Sequence, residues 1–308
     1  MEMIDNKLAV GIDVGGSHVS SAVVDAVTGE MVGEVCTTPL DSKACASEIL
    51  DAFEENIKAA VMASGAGAVR NAGFAFPGPF DYVRGVSTVH GVDKYEHIYG
   101  LDIRASLAPR LAGLGIENFR FVNDASAFAL GECLGGAARN ADRVLALTLG
   151  TGVGSGFVAG RKLVETGDEV PANGWVYCLP FEGTIVDDSF STRWICRRYK
   201  ELTGDDVRGA KDVADRYAGS EAARRLFDEY GERLAQFAVP VMERFRADAL
   251  VLGGNISRAY PLFGKTMETA MEAMGCNAVI SVSSLMDRAA LIGAASFFCT
   301  DCLKHIQK

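Results

Sequence analysis

No stripe of Lys or Arg runs through this chain. Its 308 residues carry 30 Lys and Arg against 40 Asp and Glu, for a net charge of −10 and a pI near 5.0. Nucleic acid is therefore an unexpected partner, because positive charge is needed to displace the counterions of phosphates. The densest basic cluster, Ile195–Lys200 (ICRRYK), reads as a solvated helix face. The sequence also lacks a long apolar run at its start. In MEMIDNKLAVGIDVGG the apolar stretch is too short to cross a bilayer, and the charged start and cleavage site of a signal peptide are missing. The expectation is a cytoplasmic protein with no membrane association. Eight cysteines scattered through such a chain are expected as free thiols, and the Cys299–Cys302 pair reads as core packing on one helix face. Nothing resembling a helix-turn-helix precedes residue 8, which argues against a DNA-bound repressor. No low-complexity linker is present, so any domains are expected to share an interface.

The composition that remains agrees with a soluble enzyme: 49% hydrophobic, 23% charged, and 34 glycines, enough to expect several turns where backbone approaches a ligand closely. The length fits two domains or one large α/β unit. LAVGID (8–13) and VSSAVVD (19–25) read as strands of a hairpin, and VLALTL (144–149) and GFVA (156–159) repeat the plan around Gly150–Ser155. Two strand–turn–strand units half the chain apart suggest an internal duplication. Between them come helical character over 43–64, a strand over 69–76 ending in PGPF, a helix over 100–113, a strand over 119–122 and a helix over 125–134. Residues 162–188 are loop-rich, 190–202 and 221–246 look helical, ALVLGGNISRAY (249–260) runs from a strand into a turn, and 289–308 forms a last helix.

The first hairpin loop offers Gly15 and Gly16, whose backbone N–H groups can meet an anion unobstructed, with Ser17 and His18 beside them. Asp13, at a strand end, can hold Mg²⁺ beside a phosphate, directly or through water. The second loop supplies Thr151 and Gly152, and LGGNIS supplies Gly253, Gly254 and Asn255 where backbone can approach a nucleoside. Any one of these is an ordinary tight turn, but three after apolar strands are hard to explain as coincidence. In RFVNDASAFALGE (120–132), Asn123 and Asp124 precede a helix, where either residue makes a good N-cap. Capping accounts for one of the two, and from this segment alone it is the favoured reading. A carboxylate at a strand's C-terminal end also lies where α/β ligands bind, and there it can take a proton from a hydroxyl attacking phosphorus.

The ordered set DVGGSHV (13–19), FPGPFD (76–81), VNDASAFALGE (122–132), LTLGTGVGSGFVAG (147–160), LVLGGNIS (250–257) and RAALIGAA (288–295) resembles the ROK family of sugar kinases and sugar-responsive repressors. The resemblance implies the actin-like ATPase (ribonuclease H-like) α/β fold, with two duplicated α/β domains around a cleft, and phosphorylation of a sugar hydroxyl, on a hexose or an N-acetylhexosamine, by ATP with Mg²⁺. It implies Asp124 as catalytic base, Asn123 as sugar-hydroxyl ligand, Asp13, Gly15 and Gly16 in the first phosphate loop, Thr151 and Gly152 in the second, and Gly253 and Gly254 near adenosine. Gly78 on the sugar side, Ser17 in the first loop and Asn255 in the third turn are further candidates, and His18, where many members carry Thr or Lys, either donates to the phosphate or sits in solvent. A homodimer is implied as well. The segment PANGWVYCLPFEGTIVDDSFSTR (171–193) departs from the family's ExGH and CxCGxxGCxE pattern. Gly174 stands at the first Glu, Tyr177 at the His and Asp187 at the last Glu, so Tyr177 and Asp187 become the remaining sugar-side candidates. With one thiolate, Cys178, and no imidazole, no zinc site is expected. The domains are expected as 1–122, 123–290 and a C-terminal helix, 291–308, returning to the first. The alternative to an enzyme is a catalytically weak sugar-binding or regulatory protein on the same fold.

Overall fold

The apolar run that begins at Leu8 becomes strand β1 (Leu8–Val14), and after only three residues the chain returns as β2 (His18–Asp25), antiparallel from Leu8 opposite Asp25 to Val14 opposite Val19. This is seen in a computed structural model that describes residues 7–91 and 94–299. β3 (Met31–Pro39) adds to the outer edge of β2. Helix α1 (Ala46–Ser64) follows, its Glu48 carboxylate accepting from the Cys45 N–H at the start and Gly65 in the left-handed region at the end. Ile49, Leu50, Phe53, Ile57, Ala60 and Val61 form the apolar stripe that it buries. β4 (Asn71–Phe76) is buried along its whole length and pairs parallel to β1. A small ribbon of β5 (Phe80–Asp81) and β6 (Val86–Ser87) precedes helix α2 (Ile103–Leu111), which Asp102 caps by accepting from the Ala105 N–H. β7 (Asn118–Asn123) pairs parallel to β4 and runs directly into α3 (Asp124–Gly135), giving the sheet order β3-β2-β1-β4-β7. Under the site lies an aromatic cluster. Phe53 meets Phe74 and Phe76 edge-on at 6.3 and 6.2 Å, and Phe76 stacks on Phe80 at 4.5 Å.

The second unit repeats the plan. β8 (Arg143–Leu149) and β9 (Val153–Ala159) form a hairpin, again with three residues between strands, and β10 (Lys162–Leu163) extends the outer edge. A ribbon of β11 (Pro180–Phe181) and β12 (Thr184–Ile185) leads into α4 (Val186–Phe190) and α5 (Thr192–Thr203). The expected helix over 190–202 is thus interrupted at Ser191, whose backbone is extended. After α6 (Ala210–Ala214), the 25-residue α7 (Glu221–Phe245) carries much of the core, with α8 (Tyr260–Ala273) packed on it. β13 (Ala249–Gly253) joins β8 in parallel and β14 (Val279–Val282) closes the order β10-β9-β8-β13-β14. A hairpin followed by two parallel strands therefore occurs in both units, which is the duplicated actin-like ATPase plan.

The chain enters the second unit after Gly135 and leaves it at Met286, so the second unit is Gly136–Met286. The sequence places the start of this domain at 123, whereas α3 packs with the first sheet through the last helix, α9 (Arg288–Ser296). Glycines bring α9 into backbone contact with its neighbours. A Cβ on Gly11 would stand 2.0 Å from the Leu291 carbonyl, one on Gly73 2.1 Å from that of Ala294, and one on Gly131 of α3 1.9 Å from that of Ala289. Small residues on β1, β4, α3 and α9 thus weld the parallel strands and both helices into one body. The reading of a final helix through Lys308, and of Cys302, falls partly outside the described residues.

Candidate active site

In the first unit the expected residues gather at the C-terminal ends of the parallel strands β1, β4 and β7. Asp13 lies opposite Ala75, and Phe76 opposite Asn123, so the ends of the three strands are level. Such an edge is where open α/β sheets bind ligands, since side chains and helix starts project beyond the ladder there. Asn123 Oδ1 accepts from the N–H groups of Ala125 and Ser126, at 3.1 and 3.3 Å, which makes Asn123 the cap of α3. Its amide nitrogen donates to the Tyr82 hydroxyl at 3.2 Å, and Tyr82 donates to the Phe76 carbonyl at 3.1 Å. The Gly78–Pro79 peptide is cis, and the Tyr82 hydroxyl lies against the exposed Gly78.

Two carboxylates at this edge are driven toward their neutral forms. Burial raises the Asp124 pKa, opposed in part by the Ala125 and Asp124 backbone N–H groups and by the Asn123 side chain. Asp13 is raised to about 7, first by burial and then by the charges of Asp124 and Asp287. Both retain a share of solvent access. The ionised form of Asp13 is thus a negative charge that its surroundings do not balance, and a divalent cation next to it would favour that form and relieve the repulsion. The donor set fits Mg²⁺ held by one carboxylate with water completing the shell. Asp287, just before α9, contributes to this field and carried no signal in the sequence.

The first loop is tightly held. Gly15 N–H donates to the His18 carbonyl at 3.0 Å, the Leu40 N–H donates to the Ser17 carbonyl at 2.9 Å, and Tyr95 donates its buried hydroxyl to the Gly15 carbonyl. Gly16, Ser17 and His18 face solvent, with Ser17 Oγ 3.2 Å from His18 Nδ1. Tyr95 carries no signal in the sequence, and its segment also holds His90 and His97. Both histidines are exposed, and His90 sits 3.3 Å from the Glu96 carboxylate.

In the second unit the other expected residues share the end of the sheet formed by β8 and β13. Gly253 lies opposite Thr148, and Gly254, at φ +78°, passes so close to Leu149 that a Cβ would stand 2.4 Å from its carbonyl oxygen. Thr151 and Asn255 are exposed there. The second loop is braced from behind. The Thr192 N–H and hydroxyl both donate to the Gly150 carbonyl, at 2.8 and 2.9 Å, and Arg193 donates to the Thr151 carbonyl at 3.0 Å. Asp187, expected at the sugar, instead accepts the Val153 N–H at 2.7 Å on one oxygen and the Arg193 guanidinium on the other. Arg193, like Asp287 and Tyr95, carries no signal in the sequence. Tyr177 is exposed and tilted against Trp175, while Gly174 is buried, its carbonyl accepting from Ser155 Oγ at 2.6 Å. Hydrogen bonds to β9 therefore fasten the segment whose zinc pattern is altered.

The chain matches the ROK family over residues 9–300. It is 26% identical to a glucokinase of Thermotoga maritima, over 93% of this chain and 96% of that protein. With a polyphosphate glucokinase of Mycobacterium tuberculosis strain H37Rv it shares 31% identity over 92% of this chain and 89% of the relative. Its fold is that of a ROK family glucokinase from Streptomyces griseus solved in complex with glucose and AMPPNP, at a TM-score of 0.71 and 23% identity, covering 94% of this chain and 98% of that one.

Proposed function

The chain belongs to the ROK family, and we propose that it is a sugar kinase in which Asp124 removes the proton of a sugar hydroxyl as that oxygen attacks the terminal phosphorus of ATP. The observation that carries this reading is the division of labour between Asn123 and Asp124. Asn123 caps α3 through the Ala125 and Ser126 N–H groups, and Asp124 Oδ1 shares only the first of these, at 2.9 Å. Asp124, whose burial raises its proton affinity, stands at the ligand edge of the sheet, and higher proton affinity strengthens a carboxylate as a general base. In the step itself, the proton passes from the sugar hydroxyl to Asp124 while the new oxygen–phosphorus bond forms. The bond to the leaving oxygen breaks, and its electron pair departs with ADP. Asn123, fixed at both ends of its amide, orients a neighbouring sugar hydroxyl, with Gly78 and Tyr177 as further sugar contacts.

Gly16, Ser17 and His18 receive phosphate oxygens in the first loop, whose turn Gly15 closes by donating its own N–H to the His18 carbonyl, and Thr151 and Gly152 receive them in the second. Gly253, Gly254 and Asn255 lie along the adenosine. Asp13 would hold Mg²⁺ through water, and the ion when bound would offset the charge on the phosphates. Transfer of this kind depends mostly on position and charge, which suits two loops pinned by their own bonds. Relatives named glucokinase and polyphosphate glucokinase support phosphoryl transfer to a sugar. The test is an ADP-release assay over a panel of hexoses and N-acetylhexosamines with ATP and Mg²⁺. Sugar-dependent release that Asp124→Asn retains in full would overturn the assignment of the base.

A second reading, a catalytically weak sugar-binding protein, is favoured by one observation. Both oxygens of Asp187 are engaged within the second unit. Binding of a sugar without binding of nucleotide, measured by calorimetry, would favour that reading over the kinase.

A further inference from the structure

Lys94 lies along the open face of Gly16. A Cβ on that glycine would stand 3.3 Å from Lys94 Nζ and within 3.8 Å of Cε and Cδ, so the length of the lysine side chain fills the space that the missing Cβ leaves. The lysine is exposed, and among the described residues it has no carboxylate partner. Its place in the chain is fixed by the next residue. Tyr95 is buried with φ +59°, donates its N–H to the Ser42 carbonyl at 2.7 Å, packs its ring on Phe76 at 5.6 Å, and bonds the Gly15 carbonyl through its hydroxyl. A non-glycine residue held at positive φ is maintained by its surroundings. Here those surroundings include the backbone of the loop that Lys94 covers.

We infer that Lys94 is a phosphate ligand of the first loop, meeting the terminal phosphate of the nucleotide, and that Tyr95 is the positioning residue that carries it there. This rests on the kinase reading above. The chemistry is complementary: Gly16 offers backbone N–H without an obstructing Cβ, and an ammonium with no carboxylate partner among the described residues supplies charge beside it. Asp13, Asp124 and Asp287 place three carboxylates at the same end of the sheet. An incoming phosphate meets repulsion from that side, which a cation on the loop counters. Lys94 moves no proton in the transfer. It pairs with negative charge on the phosphoryl oxygens as the bond to the leaving group breaks.

The experiment compares the full chain with Lys94→Met and Lys94→Arg. Each is assayed with ATP, Mg²⁺ and an active sugar, and titrated calorimetrically with ADP and with a non-hydrolysable ATP analogue. Lys94→Met is expected to lower kcat/KM for ATP by about 10–100-fold, the size of a charge-assisted contact, with KM for the sugar changed less than about two-fold. Lys94→Arg recovers most of the loss, and neither variant shifts the thermal midpoint, because the side chain is exposed. The wild type binds the ATP analogue more tightly than ADP, and Lys94→Met abolishes that preference. An unchanged kcat/KM together with an unchanged preference in Lys94→Met would overturn the inference. If no sugar is turned over by the wild type, the kinase reading falls, and the analogue-against-ADP comparison still decides whether Lys94 meets the terminal phosphate.

Discussion

Asn123 caps the helix that Asp124 begins: its Oδ1 takes the Ala125 and Ser126 N–H groups at 3.1 and 3.3 Å, and its amide nitrogen donates to Tyr82. Asp124 Oδ1 shares the Ala125 N–H at 2.9 Å, and the Ser126 N–H is held by Asn123. Asp124→Asn keeps the size of the side chain and removes the base, so turnover is expected to fall by roughly 10²–10⁴ while nucleotide affinity stays near that of the wild type. Asn123→Ala removes the cap and is expected to cost about 1 kcal/mol of stability. Steady-state kinetics and thermal denaturation of the two variants separate the roles, since the first should scarcely move the midpoint and the second should lower it.

Asp13 makes stability depend on pH in an unusual direction for a carboxylate. Its proton affinity is higher in the folded chain, with a pKa of about 7 against the ordinary aspartate value of 3.8. Across that interval the folded state binds more protons than the unfolded one. The contribution of this group is therefore greatest at low pH and is lost as pH rises through about 7. The difference in thermal midpoint between the wild type and Asp13→Asn should shift against the wild type from about pH 5 to about pH 8 without Mg²⁺. Added Mg²⁺ with nucleotide should restore the wild type at the higher pH and leave Asp13→Asn unchanged. An equal pH profile for the two proteins would refute this role.

Much of this arrangement was legible because it is local. Apolar strands ending in Gly15-Gly16, Gly150-Thr151-Gly152 and Gly253-Gly254 announce their turns, and strand β7 running into Asn123-Asp124 announces a helix start. The residues that brace those turns were not legible. Tyr95 bonds a carbonyl 80 residues earlier, and Arg193 one 42 residues earlier, from segments with little periodicity of their own. Strand β3 escaped notice because it is an edge strand with much of its surface exposed, so no apolar alternation marks it. The boundary of the first unit was displaced because the glycines of β1, β4 and α3 reveal their purpose only once α9, from the far end of the chain, lies upon them.

That packing sets a test in which two effects oppose. Gly131→Ala would ordinarily favour a helix by about 1 kcal/mol. Here the added methyl group would stand 1.9 Å from the Ala289 carbonyl oxygen, a backbone atom that cannot turn aside. Overpacking of this kind costs typically about 1–3 kcal/mol or more, so the variant is expected to be less stable than the wild type. Since α3 starts at Asp124, the displacement should also lower kcat. Denaturant unfolding measures the first effect, and a gain in stability would show that α9 yields easily.

Asp187 offers the sharpest contrast between sequence and structure. Aligned with a family Glu that contacts sugar, it instead joins the Val153 N–H to Arg193, whose guanidinium also reaches the Thr151 carbonyl. These bonds fix the second loop, so Asp187→Ala is expected to raise KM for ATP by about ten-fold, the order of a lost charge-assisted hydrogen bond, with little change in KM for the sugar. Arg193→Ala should have a similar effect. Because the two side chains serve one brace, the double variant should lose much less than the product of the single losses. A rise confined to the sugar KM in Asp187→Ala would instead return this carboxylate to the sugar site and detach it from the loop.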